Sequence, residues 1–424
     1  MTRWLIDQTV NRVTRRHGVP KDLDKVSVIG DEAGSPEQAD ALWERVQAIY
    51  RTGMHPGIQV CIRYQGDVVV NRAIGHAQGV QPGHRFDPDQ AVPMDLDTPI
   101  NLFSAAKAVT GMVMHKLEEM GVLSLEDRVS DYVPDFAHHG KGDITLEQVL
   151  SHRAGIPTLP KEAFDLENLT DPDWMEDMVC ELEPSGVVGG SPAYHAVVGG
   201  FIMEVVAQHA SGRSLREVLE EEIRRPLGLD WLHYGVELED ADLVAHNVET
   251  GFPLILPLEM VFRRALGTRY GHVLHLSNDP RFLGAVIPSG NVITTAHDIA
   301  AFYQCLLNGG ELDGTRVFEE ETVTRALEHR DEGTPVDRML GMPIRYSAGF
   351  MLDNEQVSPY GWDHPNAFGH IGLSNMFTWA DPDRDLAVAL LTTGKPVLGT
   401  HVLALPQLIT EIHQVFPERE GVRT

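Results

Sequence analysis

The spacing of apolar residues changes period several times along the chain. Residues 35–53, SPEQADALWERVQAIYRTG, carry apolar side chains at helical intervals behind Ser35 as a cap and Pro36 in the first turn, and stop at Gly53. Residues 57–75, GIQVCIRYQGDVVVNRAIG, are two β-rich runs about Gln65-Gly66-Asp67, which predicts a hairpin. The first 18 residues have the rhythm of an amphipathic helix. At NLFSAAKAVTGM (101–112) a strongly apolar helical pattern begins, and to about residue 340 the chain reads as helices and loops. Loops dominate at 157–192 and 230–290. Strands return at 367–393, two runs joined by a DPDRD turn, and a helix-like segment follows from about Val402 to Val415.

Strands therefore sit at both ends, with a helical block between them. A sheet needs several strands to be stable, so the simplest closure pairs the two ends into one antiparallel sheet flanked by helices. The expected class is α+β with an inserted, mainly helical domain. Its expected parts are 1–100 (N-terminal helices and first strands), 101–285 (mainly helical) and 286–424 (return to the sheet). A cleft at the junction is where a small-molecule site belongs. The apolar run at 252–262, with Leu254, Ile255, Leu256, Leu258, Met260 and Phe262, is either core or the lining of such a site.

Composition narrows the function. A hydrophobic content of 42% and a charged content of 23% are those of a globular protein. A formal net charge of −28 disfavours nucleic acid and an anionic membrane surface as partners. Asp7 and Asn11 interrupt any signal-peptide core, and no apolar stretch is long enough for a membrane span. Cys61, Cys180 and Cys305 lie far apart and suit buried reduced thiols, so a cytoplasmic location is expected.

The opening of the 101–112 pattern carries the candidate chemistry. Ser104 and Lys107 are three residues apart, close enough on one helix face to meet. Asn101 reads as the helix cap, which puts Ser104 in the first turn, where the helix dipole favours developing negative charge. The apolar surroundings (Ala105, Ala106, Ala108, Val109, Met112) lower the pKa of Lys107 and fit its amine to accept a proton. Nucleophile, base and helix start are what acyl transfer to serine requires. A simple cap is the competing reading, but a capping box wants Glu or Gln where Lys107 stands.

FSAAKAVTGMVMHKLEEMGVLSLEDRVSDYVPDF, ITLEQVLSHRAGIP (144–157) and PSGNVITTAHDIAAFYQCLLNGGELDGTRVFEEETV (288–323) follow one another as in a known group. Over residues 55–395 the chain resembles serine β-lactamases, penicillin-binding DD-peptidases and family VIII carboxylesterases. Among these it looks most like actinobacterial esterases or lipases. The resemblance implies Ser104, Lys107 and Tyr194 as catalytic residues, Tyr194 relaying a proton with its pKa lowered by the lysine. It implies His370-Ile371-Gly372 as the third motif, on a strand that ends near Trp379 and whose glycine lets substrate approach. His370, Gly372 and Leu373 would contact substrate, and the N–H groups of Ser104 and Leu373 would form an oxyanion hole.

Two departures steer the substrate. Ala196 stands where Tyr-x-Asn has its Asn, and His370 where Lys-Thr-Gly has its Lys. Both weaken lactam recognition and favour a small or medium apolar ester as the partner. The expected activity is a serine carboxylesterase without cofactor or metal. Alternatives are a β-lactamase or DD-peptidase, and a non-catalytic ligand-binding relative. Gly-x-Ser-x-Gly, Gly-x-Gly-x-x-Gly and Walker motifs are absent, and His272/His275 and His138/His139 lack further ligands nearby in sequence.

Overall fold

The computed structural model describes residues 17–18, 20, 22–82, 86–329, 333–354, 358–361 and 364–419. The amphipathic helix expected at the N-terminus lies outside the described residues. In chain order the elements that position the site begin with strand β1 (Ser27–Ile29), helix α1 (Pro36–Arg51), and the hairpin β2 (Gly57–Tyr64) and β3 (Asp67–Gln78). Strand β4 (Ile100–Asn101) then leads into helix α2 (Ala106–Glu119). The helical block holds α3 (Pro172–Glu181), α4 (Val198–Ser211), β5 (Leu232–Tyr234), α5 (Leu258–Leu266) and α6 (Tyr270–Leu276). The chain returns through β6 (Val292–Thr294), α7 (Ala296–Leu307), β7 (Arg345–Tyr346), β8 (Met351–Leu352), β9 (Phe368–Gly372), β10 (Met376–Asp381) and β11 (Leu386–Thr392), and α8 (His401–Val415) follows.

The main sheet runs β1-β3-β2-β11-β10-β9-β8-β7, every neighbour antiparallel, so the two ends of the chain meet at β2 and β11. This is the α+β arrangement expected from the strands at both ends. Period 2 divides β11 between two cores. Leu386, Val388 and Leu390 join Ile58, Val60 and Ile62 of β2 beneath α1 and α8. Ala387, Ala389 and Leu391 face the other way, towards α7 and the helical block. Small alanines on that face let α7 lie close to the strand. A strand covered on both sides reads as an unbroken apolar run, as LAVALLT does.

One strand boundary differs from expectation. Residues 367–393 form three strands, because the chain turns back at Leu373–Asn375 between β9 and β10. Ser374 (φ 37°) and Asn375 (φ 68°) supply the consecutive positive φ values of a tight hairpin. No glycine stands in that turn to announce it. Trp379 is thus not on the His370 strand; it lies opposite Gly369 on the neighbouring one.

The 101–105 segment is clamped from two sides. Strand β4 pairs with β6, and Leu102 N–H donates to Val292 O (2.9 Å). On the other side, a Cβ at Gly372 would lie 2.3 Å from Leu102 O. The glycine expected to admit substrate instead lets β9 press against the turn that carries Ser104. No helix among the described residues is long and apolar enough to cross a membrane. Cys61, Cys180 and Cys305 are buried free thiols.

Candidate active site

Ser104 sits in a single 3-10 turn, Phe103–Ala105, immediately before α2. Asn101 does not cap the α-helix as expected: its Oδ1 accepts Phe103 N–H (3.0 Å) and so holds the 3-10 turn. Phe103 takes φ 49°, a left-handed value uncommon for an aromatic residue, and such strain persists only where the surroundings enforce it. Gly372, β4 and β6 are those surroundings. The half-buried Ser104 side chain opens onto a cavity it shares with Leu373, the two residues expected to provide the oxyanion N–H groups.

Lys107, the second residue of α2, is 7% exposed. Its Nζ donates to Ala196 O (2.7 Å) and Ser289 O (3.1 Å) and lies 4.9 Å from the centre of the Tyr194 ring. Burial holds its pKa well below the ordinary lysine value, since these carbonyls carry no compensating charge. The amine is therefore disposed to be neutral. Ser289 is itself fixed, its Oγ accepting Gly200 N–H (2.9 Å) from α4.

Tyr194 completes the group, buried beside Lys107 and close enough to Ser104 for the hydroxyl to act on its phenol. The expected fall in its pKa does not occur. Burial pushes the phenol upward, the Ser104 hydroxyl offsets this only in part, and Lys107 is not among the groups acting on it. The expectation left out the cost of burying a phenolate, which raises the phenol, and the nearby Asp337 carboxylate raises it further.

His370 lies beside Tyr194, ring centres 6.2 Å apart, and is 1% exposed. Its Nδ1 bonds Ile371 O (2.8 Å) and must be the donor, which leaves Nε2 an acceptor without a partner. Burial, then the nearby Lys107, pushes its pKa down to about 3, so the imidazole is neutral. It does not line the cavity, whereas Ser104, Ala196 and Leu373 do.

Three contributors had no sequence signal strong enough to single them out. Asp337, fully buried, accepts Tyr194 N–H (2.9 Å), Met339 N–H (2.8 Å), Leu340 N–H (2.8 Å) and Tyr346 O–H (3.3 Å). Tyr346 stacks on Tyr194 at 6.5 Å, and the His152 ring lies 4.7 Å from both. His152 Nδ1 also accepts His195 N–H (3.1 Å). Asp337 comes from a loop 143 residues after Tyr194, a pairing no local pattern encodes. Asp337→Asn is expected to lower kcat per labelled active site by about tenfold, because a slightly displaced catalytic group loses rate steeply. A residue that only supported the fold would lower Tm and leave that normalised kcat intact.

The cavity is a narrow apolar slot of 60 Å³ lined by Phe103, Leu159, Phe164, Leu266, Phe282 and Ile287 among others. The apolar run at 252–262 contributes none of its residues. Ile255 and Leu256 are 68% exposed and Met260 62%, while Leu266, at the end of α5, reaches the slot. Among the described residues one group has metal-like spacing, His364, Asp381 and His413, which the sequence did not bring together. There the Arg384 guanidinium already lies 2.6 Å from His364 Nδ1 and 2.8 Å from Asp381 Oδ2, where a cation would have to sit.

Residues 46–408 match the family described as Beta-lactamase. An esterase/beta-lactamase, LipL, of Mycobacterium tuberculosis is 31% identical over 311 residues, 71% of this chain and 70% of that protein. A penicillin-binding protein homolog from Caulobacter crescentus superposes with a TM-score of 0.77 at 28% identity, covering 92% of this chain and all of the other. A family VIII carboxylesterase superposes with a TM-score of 0.75 at 27% identity, covering 90% of this chain and 99% of its own. With its fold, its ordered motifs and these relatives in agreement, the chain belongs to the beta-lactamase family of hydrolases.

Proposed function

We propose that the chain is a serine carboxylesterase that forms an acyl-enzyme on Ser104. The observation that carries this reading is Ser104 lining an apolar slot within one turn of Lys107, whose buried Nζ lies 4.9 Å from the Tyr194 ring. Ser104 Oγ attacks the ester carbonyl while its proton passes to the Lys107 amine. The oxyanion is held by the N–H groups of Ser104 and Leu373. Tyr194 keeps its proton until the alkoxide leaves, gives it up then, and recovers one from the Lys107 ammonium. Water enters, the same pair takes its proton, and Ser104 is restored as the acid departs.

Esters are favoured over lactams by what stands at two positions. The side chain of Ala196 adds only apolar wall while its carbonyl holds Lys107, and His370 is a buried neutral imidazole rather than a cation. An apolar segment next to the scissile bond matches such a lining. The three buried, unpaired cysteines support a reducing, cytoplasmic compartment.

Treatment with a fluorophosphonate should place one adduct on the peptide containing Ser104, and p-nitrophenyl butyrate should turn over faster than a chromogenic cephalosporin. Absence of the adduct in folded protein sinks the mechanism, and faster cephalosporin turnover reverses the substrate ranking. The slot is far smaller than the roughly 300 Å³ at which ordinary ligand pockets begin. Butyrate is therefore expected to exceed decanoate by about tenfold or more in kcat/KM, since methylenes beyond the slot gain no apolar contact. Leu266→Ala should move that optimum to longer chains.

A further inference from the structure

The chain holds 62 acidic residues against 34 lysines and arginines, yet three of the cations gather without acidic partners. Lys161, Arg263 and Arg269 line one open cleft of 680 Å³. Among the described residues none of the three is paired with a carboxylate. Arg281, on the same wall, shows the contrast, because Asp279 holds it at 2.9 Å. Glu162 and Asp165 also line the cleft, but Asp165 turns its Oδ1 to the Glu167 N–H (3.1 Å) at the start of a short helix. The cations outnumber the acids, and a concave wall focuses their field.

The place of this cleft gives it meaning. Phe164 and Leu276 line both the cleft and the apolar slot that Ser104 lines. The same two chain segments build each region. One gives Lys161 to the cleft and Phe164 to the slot, and the other gives Arg263 and Arg269 to the cleft and Leu266 to the slot. Gly267, at φ 77°, locks the segments together, for a Cβ there would lie 2.8 Å from the Phe164 ring. The cationic cleft thus lies next to the slot that Ser104 lines, with Phe164 and Leu276 as their common wall.

We propose that the cleft binds an anionic group, a carboxylate or a phosphate, carried at the far end of the ester substrate. This inference rests on the serine esterase reading and names its substrate class: a soluble ester with a short apolar segment between the scissile bond and the anion. The net charge of −28 repels an anionic bilayer, which selects the soluble source.

Two matched pairs test it: p-nitrophenyl hexanoate against the p-nitrophenyl monoester of adipic acid, and pentyl butyrate against 4-carboxybutyl butyrate. In at least one pair wild type should prefer the anionic member. The anionic-to-neutral ratio of kcat/KM should fall about tenfold in Arg263→Ala/Arg269→Ala, corresponding to about 1.4 kcal/mol. The same ratio should decline with added salt, as exposed charges are screened. Because the readout is a ratio, a general loss of activity cancels. Equal ratios in wild type and double variant for both pairs overturn the inference. Failure of wild type to hydrolyse any of the four esters, with Ser104 unlabelled by a fluorophosphonate, overturns the esterase reading instead.

Discussion

Ser104→Ala is expected to lower kcat/KM for p-nitrophenyl butyrate by at least about 10³-fold, the loss that follows when a nucleophile is removed and only binding and oxyanion contacts remain. The protein should stay folded. Ser104 is half-buried, and its loss removes at most one side-chain hydrogen bond, an effect of about 1 kcal/mol. In a chain of this size that shifts Tm by a few degrees at most. Circular dichroism and a melting curve separate inactivation from unfolding. Retention of more than a tenth of wild-type activity would assign the nucleophile elsewhere.

Lys107→Met is the second large effect, and it divides chemistry from stability. Loss of the base should reduce kcat by about 10²- to 10⁴-fold. Wild-type kcat/KM should rise with pH to a plateau as Lys107 sheds its proton at a pKa well below the ordinary lysine value, and the variant should lack that limb. Stability moves with the opposite partner. Between the lowered pKa of folded Lys107 and the ordinary value of 10.5, the unfolded chain binds a proton that the folded chain does not, so wild-type stability falls as pH drops through that window. Methionine carries no such proton. Melting both proteins at pH 10 and pH 7 should show the Tm difference shifting in favour of the variant at the lower pH. A difference independent of pH would mean that Lys107 is protonated in the folded protein, and its role as base would fall.

These two residues were visible in sequence because their signal is local. Ser104 and Lys107 lie within one turn, and the apolar residues around them are part of the same helix, so spacing alone predicts that they meet in a dry place. Tyr194 and His370 could be named only through resemblance, since nothing in their own surroundings points to Ser104. One pKa was misjudged for the same reason. The local window gave the dry setting that lowers Lys107, but Tyr194 was expected to fall beside that lysine, and the burial that raises it instead comes from segments distant in the chain.

The sequence by itself determined the alternation of strands and helices, the meeting of its two ends in one sheet, and the placing of Ser104 and Lys107 within one turn at a helix start. Those features depend on side-chain period and on contacts within a few residues. Only the tertiary structure decided which face of Gly372 is crowded, that Asp337 holds Tyr194, that Leu266 rather than the exposed 252–262 run lines the slot, and that unpaired cations stand in the cleft beside it. Each of these joins segments far apart in the chain, where burial and approach distance follow from the packing of whole elements and are not written in any single one.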